Sequence, residues 1–139
     1  MKVIVLNCGS SSIKYQFFGM PEQTVLAKGV VDKIGLRGSF VKHSMESGEK
    51  IMLEGEILDH KQGIEYVLGI LTSEKYGCLK NLEEITAVGH RVAHGAEHFS
   101  ASQEITDDVI KGIEEAAELA PLHNPPNLQG IYAMKHLLP

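Results

Sequence analysis

The sequence predicts an α/β fold in which antiparallel strands at the N-terminus are followed by a parallel strand and flanking helices, all built on one mixed sheet. Three observations carry this. Strand-like segments separated by turn residues fill the chain up to Glu56. The apolar period then lengthens to that of a helix, starting at Ile64. A short apolar segment, Glu84 to Val88, follows that helix where the parallel strand of an α/β crossover would stand.

Each element has its own warrant. Val3-Ile4-Val5-Leu6 is apolar without alternation, which suits a strand covered on both faces. Asn7 to Ser12 is a small polar loop, after which Ile13, Tyr15 and Phe17 alternate with Lys14 and Gln16, so the chain opens with a β-hairpin. Met20 to Gln23 is a turn, Thr24 to Val31 a third strand with β-branched ends, and Gly35 to Gly38 another turn. Ser39 to His43 and Lys50 to Glu56 are shorter strands joined by Glu46-Ser47-Gly48. Ile64, Val67, Leu68 and Leu71 then fall at helical spacing, with Asp59 and Gln62 placed as a capping pair. After the strand at Glu84 to Val88, a second helix is expected from Thr106 to Ala120. Thr106 is its N-cap, Asp107 and Asp108 sit at the positive end of its dipole, and Val109, Ile110, Ile113, Ala116 and Ala117 make one face. Pro121 ends it. A third helix is expected with Asn124 as N-cap and Pro125 at its first position, burying Leu128, Ile131 and Tyr132.

Composition bounds the function. The chain has 139 residues with 43% hydrophobic side chains, enough for one modest domain with an ordinary core. Lys plus Arg total 13 against 18 Asp plus Glu, a formal charge of -5, so no electrostatic footprint for nucleic acid is present. Apolar runs are far short of a membrane span, and Lys2 leads directly into a strand rather than a signal peptide, so a cytoplasmic protein with no membrane partner is expected. Cys8 and Cys78 are isolated and fit reduced thiols rather than a disulfide framework.

Two places can carry chemistry. Asn7 to Ser12 contains no bulky side chain, Gly9 can adopt φ > 0, and the loop offers backbone N–H groups and three hydroxyls suited to phosphate oxygens, with Lys14 as a nearby point charge. An ordinary Gly-Ser hairpin turn has the same composition. It is not a Walker A loop, because the element after it alternates as a strand. Arg91, at the end of an apolar strand, can grip a carboxylate or phosphoryl group bidentately, the bland reading being a structural ion pair. His90, His94 and His98 are spaced by four and invite a zinc-hydrolase reading. Gly89 and Gly95 interrupt any helical register and no Glu stands where a zincin motif needs one, so packing or hydrogen-bonding histidines are expected. His123 lies in a stiff loop fenced by Pro121 and Pro126, able to hold a donor in place or simply to face solvent.

Asn7-Cys8-Gly9-Ser10-Ser11-Ser12-Ile13-Lys14 resembles the first phosphate-binding motif of the acetate and sugar kinase, Hsp70 and actin superfamily, in the version of the acetate kinase family. Val88 to Gly95 and Leu119 to Asn127 agree with two further motifs of that family, in the same order. The resemblance spans the chain but only about the first third of a complete acetate kinase. It implies a ribonuclease H-like (actin-like ATPase) domain, residues 1–139, as the N-terminal part of a two-domain enzyme that transfers the γ-phosphoryl of ATP to acetate, giving ADP and acetyl phosphate.

By the same resemblance Asn7 helps hold Mg²⁺, and Ser10, Ser12 and Lys14 face the nucleotide phosphates. Arg91 contacts acetate and the transferring phosphoryl group, and His123 lies near that group. Ala93 and Leu122 border the acyl pocket. Ala93 stands where many acetate kinases carry Val and Ala96 where Gly is common. The smaller Ala93 leaves room for an extra methylene, worth on the order of 1 kcal/mol, so propionate is expected to compete with acetate. A propionate or butyrate kinase, or a non-catalytic phosphate-binding domain, are the alternatives. The resemblance further implies a homodimer, and catalytic groups beyond residue 139 without which this stretch is inactive.

Overall fold

The computed structural model describes residues 2–20, 22–91, 104–115 and 124–137. Strands β1 (Lys2–Cys8), β2 (Ile13–Gly19), β3 (Thr24–Asp32), β4 (Phe40–Met45) and β5 (Lys50–Glu54) form an antiparallel meander. Strand β6 (Ala87–His90) joins the other side of β1 in parallel, from Val3↔Ala87 to Leu6↔His90. The sheet order is β5-β4-β3-β2-β1-β6, the mixed arrangement the sequence predicts.

Register puts Ile4, Leu6, Ile13, Tyr15, Phe17 and Val31 on one face, all buried. Helices α1 (His60–Thr72) and α3 (Asn124–Leu137) cover that face, with Ile64, Val67, Leu71 and Met134 joining the same cluster. Helix α2 (Asp107–Glu115) packs Ile110 and Ile113 against Leu128 and Ile131 on another side of α3. Among the described residues, no helix is long and apolar enough to cross a membrane.

Several expectations need correction. Among the described residues strand β1 is covered on one face only, because α1 and α3 lie on the same side: Ile4, Leu6 and Cys8 are buried while Val5 is 37% exposed. A continuous apolar run therefore did not mean two covered faces. Strand β6 starts at Ala87, not Glu84; Leu82–Glu84 is a 3₁₀ turn. Glu84 is taken by capping, its carboxylate accepting from the Lys80 and Asn81 N–H groups and from Lys2 Nζ, bonds that hold the carboxyl down at about 2.

Asp59 caps α1 as expected, accepting from Gln62 N at 2.8 Å, but Gln62 reaches back to Leu58 N rather than to Asp59 itself. The described glycines with positive φ are Gly35, Gly38 and Gly48, so Gly9 does not use its left-handed option. Thr106 bonds Val109 N as the cap of α2. Asn124 is itself the first residue of α3 and is buried, its amide donating to Ile113 O at 3.2 Å. Tyr132 is 44% exposed rather than buried, and its hydroxyl donates to Glu114. Pro21, Ala116, Ala117, Ala120 and Pro121 lie outside the described residues.

One buried polar pair sits in the core. Tyr15 Oη and His43 Nδ1 lie 2.5 Å apart between β2 and β4. Burial pushes the Tyr15 hydroxyl up and the His43 imidazole down, so a neutral phenol and a neutral ring share this hydrogen bond. The other ring nitrogen, Nε2, is buried without a partner among the described residues.

Candidate functional site

The β1–β2 hairpin turn is held by its carbonyl groups. Gly9 N donates to Ser12 O at 2.8 Å, closing the turn just beyond the Cys8↔Ile13 pair. Gly9 O meets His60 Nε2 at 2.6 Å, from the first residue of α1. Cys8 O accepts from Asn127 Nδ2 at 2.9 Å, from the first turn of α3. Ser11 O accepts from Ile34 N at 2.9 Å. Carbonyls from three successive surroundings are thus turned into the protein. Among the described residues, the N–H groups and hydroxyls of Ser10, Ser11 and Ser12 make no hydrogen bond to the chain. A turn whose carbonyls are tied back and whose serine N–H groups and hydroxyls point to no acceptor in the chain has donors of the kind that phosphate oxygens use.

Strand alternation supplies the charges beside it. Asn7 pairs with Lys14 across β1 and β2, and both side chains lie on the face that α1 and α3 leave open. Arg91 follows His90 out of β6, and its N–H donates to Leu6 O at 3.0 Å, continuing the parallel ladder by one residue. Alternation turns Arg91 away from His90 onto the face of Asn7 and Lys14. Arg91, Asn7 and Lys14 form a row across three adjacent strands beside the serine turn. Neither Arg91 nor Lys14 has an ion-pair partner among the described residues, so the ion pair weighed for Arg91 is not seen there.

His90 faces the opposite way. It packs with Cys8 against Gly130 of α3, where an added Cβ would come within 2.5 Å of Cys8 Sγ and 3.8 Å of His90 Nδ1. Burial lowers His90 to about 4 and raises the Cys8 thiol to about 12, which keeps both neutral and leaves Cys8 as packing. His90 ends a strand, so the helical spacing a shared zinc needs does not begin there. Among the described residues no group of His, Cys, Asp or Glu could hold a metal. Ala93, His94, Ala96, His98, Leu122 and His123 lie outside the described residues. For Mg²⁺ the chemistry fits: the Asn7 amide is unbonded among the described residues, and it stands with the Ser10 and Ser12 hydroxyls as a hard oxygen donor, the kind that shares magnesium with phosphates and water.

Sequence reasoning missed His60, Asn127 and Gly130, the residues that hold the turn from behind. Asn127 closes the third quoted motif and could have been singled out; His60 carries no signal beyond its place at a helix start. His60→Ala is expected to lower stability by about 1–3 kcal/mol, because Gly9 O loses its partner. It should also speed amide hydrogen exchange at Ser10 to Ser12. Unchanged exchange there would show that the turn is held without it.

The family model described as "Acetokinase family" matches residues 2–139. The chain is 60% identical to the acetate kinase of Azobacteroides pseudotrichonymphae and 55% identical to that of Porphyromonas gingivalis, in each case over its whole length and 35% of the relative's. The crystal structure of the Porphyromonas gingivalis acetate kinase superposes with a TM-score of 0.97 over 99% of this chain and 35% of that one. A propionate kinase from Francisella tularensis superposes with a TM-score of 0.89 at 34% identity, over 99% of this chain and 34% of that one. The chain therefore spans about a third of the length of the relatives it matches. Since the match runs along nearly every residue, from the serine turn through the Arg91 strand to the last helix, the chain belongs to the acetokinase family.

Proposed function

We propose that this chain forms the phosphate-gripping half of a phosphotransferase site that passes the γ-phosphoryl group of ATP to acetate, reversibly, giving ADP and acetyl phosphate. The observation that carries the reading is the row of Arg91, Asn7 and Lys14 beside a turn with free N–H donors. Phosphoryl transfer needs little covalent chemistry from the protein; it needs positioning and neutralisation of charge. Ser10, Ser12, Lys14 and the turn N–H groups would hold nucleotide phosphate oxygens. Asn7 would hold Mg²⁺, which when bound offsets phosphate charge. Arg91 would grip the acceptor carboxylate and the transferring group with its planar fork.

His123, Ala93 and Leu122 take the parts given them by family resemblance: a donor near the phosphoryl group and the border of the acyl pocket. Acetate is favoured as acceptor because relatives above half identity carry the name acetate kinase, whereas the propionate kinase stands at 34%. We read 1–139 as the N-terminal domain of a two-domain, cytoplasmic, homodimeric enzyme whose site is completed by the second domain.

Purified full-length protein is expected to release ADP from ATP and Mg²⁺ only when acetate is added, and 1–139 alone to release none. Absence of acetate-dependent ADP release from the full-length protein would overturn the reaction. Turnover by 1–139 at a comparable rate would overturn the two-domain site.

A further inference from the structure

Two consecutive peptide groups of the serine turn are gripped by side chains from the two helices behind it. Cys8 O accepts from Asn127 Nδ2 at 2.9 Å, while Gly9 N, at the other end of the same peptide, donates to Ser12 O at 2.8 Å. Gly9 O takes its hydrogen bond from His60 Nε2 at 2.6 Å, with the ring nitrogen as donor because a carbonyl can only accept. Asn127 and His60 are both buried, one in the first turn of α3 and the other at the start of α1. Gly130, three residues after Asn127, makes room for the Cys8 thiol, so α3 meets Cys8 through its carbonyl and through its side chain.

A trans peptide turns its C=O and its N–H to opposite sides. Tying Gly9 O to the start of α1 therefore aims the Ser10 N–H away from α1, toward the face of the sheet that carries Asn7 and Lys14. That N–H meets no acceptor among the described residues. Asn127 fixes the preceding peptide, so both planes that flank Gly9 are set and its φ and ψ are set with them. Without these two bonds the Gly9–Ser10 peptide is free to rotate and to present a carbonyl oxygen where the N–H stands, and a carbonyl repels a phosphate oxygen.

We propose that Asn127 and His60 are positioning residues for the nucleotide: neither touches it, and together they hold the Ser10 N–H toward a phosphate oxygen. The inference rests on the phosphotransferase reading above and deepens it, because it puts the setting of the nucleotide grip at the starts of α1 and α3, behind the turn. Side chains that only supported the fold would act on acetate and nucleotide alike. These two act on the nucleotide alone.

The test is calorimetric binding of MgADP to the full-length protein, with KM measured for ATP and for acetate. His60→Ala and Asn127→Ala are each expected to weaken MgADP binding about tenfold, the loss of one hydrogen bond to a charged group, and to raise KM for ATP in step while KM for acetate stays within about twofold. His60→Gln should bind MgADP within about threefold of wild type, because its amide keeps an N–H donor for Gly9 O. The two alanine changes together should cost less than the product of their single effects, since both release the same N–H. Unchanged MgADP binding in both alanine variants would overturn the proposal and leave the phosphotransferase reading standing. So would His60→Gln protein that binds as weakly as His60→Ala, or KM values for ATP and acetate that rise together. Wild-type protein that binds no MgADP would overturn that reading, and the proposal with it. If Asn127→Ala protein does not fold, the comparison of His60→Ala with His60→Gln decides.

Discussion

Arg91→Ala in the full-length protein is expected to lower kcat for acetate phosphorylation by about 10³-fold, the lower end of what a transition-state arginine contributes to phosphoryl transfer. In free-energy terms that is about 4 kcal/mol of transition-state stabilisation. The folded state should be indifferent to the change, because Arg91 is exposed and has no described ion-pair partner to leave behind. Its melting temperature should therefore match wild type. Arg91→Lys should recover little, since a point charge lacks the fork that holds a carboxylate and a phosphoryl oxygen together. Lys14→Ala should differ in kind, raising KM for ATP more than it lowers kcat, because Lys14 neighbours the turn and acts as a point charge on groups that do not react. An Arg91→Ala enzyme within threefold of wild-type kcat would end the assignment of Arg91 to the reacting group.

The row of Asn7, Lys14 and Arg91 was legible in the sequence because its side chains follow strand alternation. Asn7, Lys14 and Arg91 could be placed on one face once a hairpin and a parallel strand were assumed, because period two fixes side-chain direction. What holds the turn was not legible. His60 and Gly9 are 51 positions apart, and Asn127 and Cys8 are 119 apart, so each contact exists only through the packing of α1 and α3 on the sheet.

The fold misreadings have the same origin. The apolar run of β1 gave no sign that both helices would choose one face. Tyr132 fits the helical spacing of Leu128, yet α3 is shared between two clusters, with Met134 facing the sheet and Leu128 and Ile131 facing α2. A helix buried on two sides has a rotated, narrow solvent strip, and Tyr132 falls on it beside Lys135. Glu84 reads as the start of a strand only if its carboxylate is ignored; the carboxylate is what makes the turn before β6.

Gly29→Ala is expected to be the most damaging single methyl group that can be added to the described sheet. A Cβ at Gly29 would stand 2.3 Å from Lys42 O and 2.5 Å from Tyr15 Oη. The first obstacle is backbone of the neighbouring strand, which cannot swing aside as a side-chain tip can. The second is the hydroxyl that must reach His43 Nδ1 across this very position. Relief of either clash moves β4 or displaces the Tyr15 ring, and displacing the ring leaves a second buried nitrogen on His43 unpaired beside Nε2. Overpacking of about 1–3 kcal/mol and the loss of a buried hydrogen bond, a further 1–3 kcal/mol, give a combined cost of about 2–6 kcal/mol. Urea unfolding should show it as a lower midpoint at unchanged slope. Gly69→Ala is the control: nothing lies within 4 Å of its added Cβ on the exposed side of α1, so helix propensity alone should raise stability by about 0.5–1 kcal/mol. Adding Tyr15→Phe to Gly29→Ala should restore little, because Lys42 O and the ring carbon at 2.7 Å both remain in the way. Full restoration would place the whole cost on the hydroxyl and show that β4 can yield; a Gly29→Ala protein as stable as wild type would show that the tyrosine need not cross β3 here at all.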